Sequence, residues 1–312
     1  MTDRIFKLNA EKIVSVFGGS GFLGSYVVKE LAKTGCIIKV ISRNPQKANF
    51  LKITGAVGQV SLISCNALKE EEVRKAIKGS DVVINLLGIL YPKGGQSFDD
   101  IHVSAAGNIA KVAAARHVKK FIHVSALGVD RAANNSQYAR SKIAGEKEVL
   151  KHFENAVIFR PSVIFGPEDN FINMLNCYAK FLPFIPLVGN GDTLLQPIYA
   201  VDLAKAIVAS ITANVSVTEG KTIEVAGPKQ ISMKQIVELI LSITKRRRIL
   251  LNLPFSLTKI QAMFLELLPN PPLTRDQVEL LKYDNTLIGK NGLEKFNITP
   301  THFEPIIRTY LR

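Results

Sequence analysis

Tyr138 and Lys142 have the residue types and the spacing of a proton-transfer pair. Residues four apart on a helix share one face, so the ammonium of Lys142 is expected near the phenol of Tyr138. Because a neighbouring cation favours phenolate, we expect a lowered pKa for Tyr138 and proton exchange with an alcohol or carbonyl. Ser125, at the end of a predicted strand, is expected to orient a substrate oxygen. The ordinary alternatives are an exposed Tyr–Lys pair and a serine that closes a turn.

A glycine-rich turn is the second feature with functional meaning. Gly18, Gly21 and Gly24 lie three residues apart, between the apolar run 13–17 and a predicted helix near 22–34. Gly18 permits a sharp turn, Gly21 allows a phosphate to approach closely, and Gly24 lets the helix pack on the sheet. Free N–H groups at a helix N-terminus attract a pyrophosphate. The turn therefore predicts a dinucleotide site, although such turns also close hairpins or cap helices.

The residues after the second predicted strand indicate which dinucleotide is bound. NAD sites place a carboxylate there, whereas the 2′-phosphate of NADP needs positive charge. This strand ends in Ser42 and Arg43, and Lys47 follows. Charge-assisted hydrogen bonds from Arg43 would hold the phosphate, so the sequence predicts NADP(H) rather than NAD(H). The alternative is a solvent-facing arginine after a strand.

Further residues at strand ends complete the predicted cofactor site. Asn66 follows the third strand and Gly88 closes the fourth, and either segment could instead form a plain turn. The residues predicted to bind the cofactor are Gly18, Gly19, Ser20, Gly21, Phe22, Leu23, Gly24, Ser42, Arg43, Asn66, Ala67, Leu86, Leu87, Gly88, Val124, Tyr138, Lys142, Pro161 and Val163. The predicted catalytic residues are Ser125, Tyr138 and Lys142. No metal site is predicted.

The elements that must position these residues follow an alternating pattern from residue 13 to about residue 160. The alternation of β-branched runs and helical stretches predicts an α/β fold with a Rossmann-type, doubly wound parallel sheet. Beyond it, accumulating prolines predict a smaller C-terminal α/β lobe, with domains at 1–165 and 166–312 and a chain that crosses between them. Predicted strands lie near 37–42, 59–64, 82–87, 120–124, 156–160, 222–225 and 248–252. Predicted helices lie near 22–34, 69–78, 101–116, 138–151, 171–181, 201–213, 233–244 and 255–268.

Composition limits the class of protein. The 312 residues are 47% hydrophobic, which favours a large core and excludes disorder. No apolar run approaches the ~18 residues of a membrane span. Cys36, Cys65 and Cys177 lack the spacing of a disulfide framework or a metal site. We expect a cytoplasmic protein in a reducing compartment, with a peripheral position on the inner face of a respiratory membrane as the alternative.

The chain is basic, with 40 Lys and Arg against 26 Asp and Glu and a net charge of +14. The excess is spread along the chain, so we predict no nucleic-acid partner. The run Lys245–Arg248 falls where a helix is predicted to end, and cations there interact favourably with the helix dipole. The amphipathic stretch 257–268 could contact a membrane or a partner. Such a stripe is more often core, and we expect it to be core.

The sequence resembles the short-chain dehydrogenase/reductase superfamily over nearly its whole length. In that superfamily a serine, a Tyr-x-x-x-Lys pair and an N-terminal glycine-rich turn form one site. The segments 160–167 (RPSVIFGP) and 196–202 (QPIYAVD) resemble the extended and atypical members. Within that group, the segments 18–24, 138–142, 166–171 and 273–277 resemble the nucleotide-binding accessory subunit of respiratory complex I and its bacterial relatives.

The resemblance implies three candidate functions. In the first, a nicotinamide dinucleotide is held structurally in a protein associated with NADH:ubiquinone oxidoreductase or a quinone-related assembly. In the second, the protein is an NADPH-dependent reductase of a carbonyl or quinone-like substrate. The third is a sugar-nucleotide epimerase or dehydratase, and the short connection between Ser125 and Tyr138 counts against it because such members have a longer loop there. Asn66 departs from the aspartate that related proteins often present to adenine.

Overall fold

The computed structural model of the protein describes residues 8–213 and 218–311. The strands are β1 (Ile13–Phe17), β2 (Ile37–Ser42), β3 (Val60–Ser64), β4 (Val82–Asn85), β5 (Lys120–Val124), β6 (Val157–Pro161), β7 (Ile164–Phe165), β8 (Phe184–Val188), β9 (Leu194–Leu195), β10 (Ile198–Tyr199), β11 (Thr222–Val225), β12 (Ile231–Ser232) and β13 (Ile249–Leu253). The helices are α1 (Phe22–Ala32), α2 (Glu70–Ala76), α3 (Ala105–Ala115), α4 (Val129–Ala132), α5 (Gln137–His152), α6 (Phe171–Phe181), α7 (Ala200–Thr212), α8 (Met233–Ile243), α9 (Phe255–Leu265), α10 (Arg275–Leu280) and α11 (Phe303–Tyr310).

A parallel sheet of seven strands forms the centre of the molecule, in the order β3-β2-β1-β4-β5-β6-β11. The predicted Rossmann-type parallel sheet is confirmed. The chain moves outward in one direction from β1 to β3 and in the other from β4 onward. This reversal places a crevice between β1 and β4, where open α/β sheets bind their ligands at the carboxyl ends of the strands.

Both faces of the sheet are buried beneath helices. On one face, α1 and α7 contribute Leu31 and Ile207 to a core that includes Val14 and Val16 of β1. On the other, α2 and α3 cover the sheet with side chains such as Ile109. Because helices cover both faces, the central strands β1, β4 and β5 are buried at nearly every position rather than at alternate ones.

A third apolar core lies in the C-terminal part of the chain. It joins α6, α8 and α11 to three two-stranded sheets, in which β7 pairs with β10, β8 with β13, and β9 with β12. The chain also returns to the large sheet, since β11 pairs with β6 and α7 packs on α1. Among the described residues, every helix is too short or too polar to cross a bilayer.

Two elements differ from the sequence-based expectation in ways that affect the site. The helix predicted near 101–116 begins as a π-helix over Asp99–Ser104 and continues as α3. α10 was not predicted, and it packs against α5, the helix that carries Tyr138. Single π-helical turns are rare and are frequently found at functional sites.

Candidate functional site

The glycine turn after β1 packs against the segment that follows β4. Gly18 has a left-handed backbone, with φ of +74°, and its N–H donates to the carbonyl of Ile41 at 3.1 Å. A Cβ on Gly18 would lie 3.2 Å from the carbonyl oxygen of Leu86 and 3.4 Å from Leu87. The fold therefore brings three residues predicted to bind the cofactor into one crevice at the switch point.

The N-terminus of α1 has the properties of an anion site. A Cβ on Gly24 would overlap the carbonyl oxygen of Gly18 and the backbone of Gly19, so only glycine permits this close turn. Within residues 8–213 and 218–311, no side chain caps α1, and the first turn of the helix contains no acidic residue. The helix therefore presents N–H groups and the positive end of its dipole, and these groups fit a pyrophosphate.

Lys142 and Tyr138 lie on α5, but their electrostatics differ from the expectation. The ammonium of the buried Lys142 donates to the carbonyl of Val124 at 2.8 Å, and desolvation lowers its pKa to about 8. Burial raises the pKa of Tyr138 to about 12, and the carboxylate of Asp276 adds to the increase. The expected lowering of the Tyr138 pKa was wrong, because desolvation of the phenolate and a nearby negative charge both favour the neutral phenol.

Ser125 carries a buried hydroxyl without a hydrogen-bond partner among the described residues. Its backbone N–H donates to the carbonyl of Phe159 at 2.7 Å, which fixes the residue at the carboxyl end of β5. An unpartnered buried hydroxyl costs free energy, so a ligand atom that bonds to it would be favoured. This property fits the predicted role of Ser125, which stays a prediction.

His102, in the π-helix, belongs to the site and was not predicted from the sequence. Its Nε2 accepts the N–H of Ile89 at 3.1 Å, so Nδ1 carries the proton and donates to Ser141 Oγ at 2.8 Å. Ser141 in turn donates to the carbonyl of Tyr138 at 2.8 Å. The rings of His102 and Tyr138 meet edge to face, with their centroids 5.4 Å apart. Desolvation lowers the pKa of His102 to about 3, so the ring is neutral at pH 7.

A sequence signal for this contact existed on α5. A Cβ on Gly145 would overlap the carbonyl oxygen of His102, so the glycine allows the π-helix to approach. Ser141 and Gly145 are four residues apart and therefore share one helix face. The four-residue spacing of Ser141 and Gly145 does not by itself show whether that face of α5 is buried against the π-helix or exposed to solvent.

A second buried histidine organises the end of β4. The amide nitrogen of Asn85 donates to His123 Nδ1 at 3.1 Å, and its oxygen accepts the N–H of Leu87 at 3.1 Å. Burial holds the pKa of His123 well below its ordinary value, and the Lys142 charge acts in the same direction. Asn85 thus shapes the loop that contains Leu86 and Gly88.

The opposite end of the crevice, after β2, is exposed. Ser42 Oγ accepts the N–H of Asn44 at 3.2 Å, whereas Arg43 and Lys47 extend into solvent. Within residues 8–213 and 218–311, Arg43 forms no ion pair. At the neighbouring strand end, Asn66 Oδ1 accepts the N–H of Leu68 at 3.1 Å and closes a local turn. The Arg43 guanidinium is therefore available to a phosphate.

The wall beyond β6 is held by the C-terminal part of the chain. Pro161 accepts the N–H of Leu127 at 2.8 Å, and the N–H of Val163 donates to Asn285 Oδ1 at 3.0 Å. Asn285 also donates to the carbonyl of Leu127 at 2.7 Å. Asn285 therefore fixes the segment containing Val163, which is predicted to bind the cofactor, and Asn285 itself was not predicted from the sequence.

Three features define a Rossmann-type nucleotide-binding protein. They are the crevice between β1 and β4, the glycine turn that precedes α1, and the helix α5 with its tyrosine–lysine pair. The chain belongs to the NAD dependent epimerase/dehydratase family, whose sequence profile matches residues 14–226. It is 35% identical over 296 residues to NADH dehydrogenase [ubiquinone] 1 alpha subcomplex subunit 9, mitochondrial, of Mus musculus, a match that covers 94% of this chain and 78% of that protein. The predicted resemblance to the accessory subunit of complex I is confirmed.

Solved structures share the fold at low sequence identity. The triphenylmethane reductase of Citrobacter sp., complexed with NADP(H), has a TM-score of 0.74 at 17% identity and covers 96% of this chain and 99% of its own. MoeE5, in complex with UDP-glucose and NAD, has a TM-score of 0.72 at 16% identity and covers 96% of this chain and 97% of its own. These similarities establish the architecture alone.

Proposed function

We propose that this protein binds a nicotinamide dinucleotide, NADP(H) in preference to NAD(H), and associates with NADH:ubiquinone oxidoreductase or a related quinone-linked assembly. In this proposal residues 1–165 hold the dinucleotide as a structural group and residues 166–312 supply the partner surface. The observation that carries the proposal is the 35% identity to a mitochondrial NADH dehydrogenase subunit over 94% of the chain. Similarity over that length includes both the crevice and the C-terminal elements.

The geometry of the crevice supports dinucleotide binding. Beside the N-terminus of α1, Gly24 leaves no room for a side chain and Gly18 leaves little. Among the described residues, no side chain caps that helix end, and the buried hydroxyl of Ser125 has no partner. Arg43 supports the choice of NADP(H), because an exposed guanidinium can form paired, charge-assisted hydrogen bonds with a 2′-phosphate. The Citrobacter reductase with NADP(H) and MoeE5 with NAD show that this architecture accommodates either dinucleotide.

The electrostatics near Tyr138 favour a structural dinucleotide over rapid turnover. With a pKa of about 12, the phenol is a poor match to proton exchange at neutral pH. Lys142 donates to the carbonyl of Val124 rather than stabilising a phenolate. A bound nicotinamide dinucleotide supplies hydride-transfer chemistry. Held tightly, the same group stabilises the folded chain by mass action without reacting.

The test is to identify what the gently purified protein carries and whether it reacts. We expect native mass spectrometry to detect NADP(H) in preference to NAD(H). After mixing with short-chain quinones, the absorbance of a reduced dinucleotide should stay constant. Removal of the dinucleotide should lower the midpoint of thermal unfolding. A well-folded protein that gives no calorimetric heat with either dinucleotide would contradict the proposal.

An NADPH-dependent reductase is the second candidate. It is favoured because Ser125 lies at the end of β5, and the helix α5, which carries Tyr138 and Lys142, is bonded to the same strand end through Lys142 and Val124. In that case an acceptor should accelerate NADPH oxidation, and Tyr138→Phe should abolish the acceleration while leaving NADPH affinity within about threefold, since only the phenol oxygen is lost. Sugar-nucleotide chemistry is the weakest candidate. Its substrate loop would have to come from the segment 126–137, in which the residues before α5 form only the four-residue helix α4.

The C-terminal part carries an exposed apolar surface that supports peripheral membrane contact. The expectation that the stretch 257–268 is core was wrong. Its exposed side chains, together with those at the end of α6 and in the paired strands β8 and β13, are Phe181, Phe184, Ile249, Leu251, Leu257, Ile260, Met263, Phe264, Leu267 and Leu268. Phe184 and Ile249 are register partners in the β8–β13 pair, and α9 follows β13 directly. We call this set the apolar surface.

Charge next to the apolar surface indicates anionic lipid as its partner. The basic run 245–248 follows the C-terminal end of α8, as predicted. Arg248 also caps a second helix, α6, because it donates to the carbonyl of Ala179. Lys245 and Arg247 remain exposed beside Ile249. Exposed apolar side chains flanked by cations match the interface of an anionic bilayer.

Vesicle flotation tests this contact. We expect the protein to float with vesicles containing anionic phospholipid more than with purely zwitterionic vesicles, and the double variant Ile260→Ser/Phe264→Ser to lose that binding. The matched control is Ile53→Ser/Ile288→Ser, which removes two isoleucines that are 88% and 87% exposed elsewhere. Equal flotation of the two double variants would remove lipid as the partner. A second copy of the chain would instead be revealed by a concentration-dependent mass.

A further inference from the structure

A carboxylate from the C-terminal part of the chain lies at the N-terminus of α5. Asp276, the second residue of α10, accepts the N–H of Gln137 at 2.6 Å and the N–H of Tyr138 at 3.0 Å. It also accepts the hydroxyl of Ser136 at 2.9 Å. These three groups are 138 to 140 residues from Asp276 along the chain.

Together, Asp276 and Ser136 satisfy the first three N–H groups of α5. A helix leaves its first N–H groups without partners inside the helix. Ser136, the N-cap, accepts the N–H of Ala139 at 3.1 Å, which is the third helical position. The Ser136 hydroxyl does not bond to the N–H groups of the first two positions, Gln137 and Tyr138. Asp276 accepts the hydrogen bonds of those two N–H groups. A carboxylate at this place also interacts favourably with the helix dipole.

α10 is built so that Asp276 is available to α5. Thr274 and Gln277 form a reciprocal capping box that satisfies the start of α10 without Asp276. The N–H and guanidinium of Arg275 both donate to Glu266, at 2.6 Å and 2.8 Å, which fixes α10 relative to the end of α9. α9 carries part of the apolar surface.

We propose that Asp276 is a positioning residue for the dinucleotide site. By holding the first turn of α5, it fixes Tyr138 and Lys142 relative to β5, and it makes the geometry of the crevice depend on the seating of α10. The effect on dinucleotide affinity rests on the proposed function, whereas the effect on α5 does not.

Hydrogen exchange monitored by NMR tests the first step without any dinucleotide. The amide hydrogens of Gln137 and Tyr138 should be protected in the parent protein, although residues at the start of a helix are usually unprotected. In Asp276→Ala, at pH 7, we expect both to exchange at least about tenfold faster, which corresponds to ~1.4 kcal/mol of lost local stability. Amides in β1 should keep their rates, which would establish that the variant is folded.

The second measurement distinguishes positioning from a purely structural contact. The carboxylate charge of Asp276 opposes ionisation of Tyr138. In Asp276→Asn, which retains the shape, the phenol should therefore ionise at a lower pH, as followed by the NMR signal of its ring carbon and assigned with Tyr138→Phe. Asp276→Glu, which keeps the charge, should restore most of the parent titration.

Calorimetry completes the test. Asp276→Ala should weaken NADPH binding about tenfold, whereas Asp202→Ala should not weaken it. Asp202 is a matched control because its carboxylate also accepts a backbone N–H from a distant segment, that of Thr301 at 2.7 Å. Unchanged exchange at Gln137 and Tyr138 would overturn the inference. If the parent protein binds no dinucleotide, the proposed function fails, but the exchange and titration results still decide whether Asp276 holds α5.

Discussion

The two ends of the crevice contrast in how completely their polar groups are satisfied. At the α5 end, His102, Ser141 and Lys142 are buried and bonded to one another or to backbone groups. The hydroxyl of Ser125 is the exception there, since it has no hydrogen-bond partner among the described residues. At the β2 end, Arg43 is exposed and forms no ion pair with the described residues. The fold itself fixes the positions of the bonded side chains at the α5 end, whereas Arg43 at the β2 end would gain a partner only from a ligand.

The two ends of the crevice therefore control different properties, folding at one end and ligand choice at the other. A buried polar network is costly when one member is lost, so substitutions at the α5 end should affect folding. An exposed arginine contributes little to folding, so substitution at the β2 end should affect ligand choice alone. Stability and specificity should therefore be separable along the crevice.

The largest expected effect comes from the turn between the two ends. Gly24→Ala places a methyl group against the carbonyl oxygen of Gly18 and the backbone of Gly19. Backbone cannot move aside as a flexible side chain can, so we expect a loss of about 3 kcal/mol in the free energy of unfolding. Dinucleotide binding should be lost with it. Urea unfolding followed by circular dichroism measures the first effect and calorimetry the second.

Gly289→Ala is the matched control for this substitution. A Cβ there meets no atom within 4 Å, and the backbone of Gly289 is not left-handed. We expect a change within about 0.5 kcal/mol. Equal stability of the two alanine variants would mean that the turn is looser than its packing indicates.

Two buried histidines, His102 and His123, make folding at the α5 end depend on pH. The folded pKa of His102 is about 3, below the ordinary 6.5, so the unfolded chain binds the proton more tightly. Stability is therefore complete above pH 6.5 and falls as the pH drops toward 3. At pH 5 we expect His102 to cost about 2 kcal/mol relative to pH 7. His123 shifts in the same direction. Urea unfolding at several pH values measures the slope.

His102→Gln isolates this contribution. The glutamine oxygen can accept the N–H of Ile89 as Nε2 does, but the side chain does not titrate. The variant should lose part of the pH dependence between 7 and 5. The exposed His302 provides the control, since His302→Gln should keep the parent slope. An unaltered slope in His102→Gln would show that the ring is not held neutral in the folded protein.

The sheet, the glycine turn and the major helices could be predicted from the sequence because their signals are local. β2, α6 and β11 lie within the predicted bounds, since apolar period and glycine position depend on neighbouring residues. The predicted domain boundary at 165/166 and the roles of Ser125, Tyr138 and Lys142 stay predictions.

The site features that the sequence did not predict depend on contacts between distant segments. His102 joins the site because Gly145 lets a π-helix approach α5, and Asp276 reaches Gln137 from 139 residues away. The exposure of Phe264 was missed for the same reason. An amphipathic pattern indicates that a helix has an apolar face, but only the tertiary arrangement decides whether another element covers it.

The smallest expected effect on folding, and the sharpest on specificity, lies at the β2 end. Arg43→Gln should weaken NADPH binding about tenfold while leaving NADH binding unchanged, because NADH has no 2′-phosphate for the guanidinium to meet. The free energy of unfolding without dinucleotide should change by less than about 0.5 kcal/mol. Arg116→Gln removes the same charge from an exposed position after α3 and should alter neither affinity. If Arg43→Gln weakened both dinucleotides equally, Arg43 would act on a phosphate they share, and the β2 end would no longer decide between them.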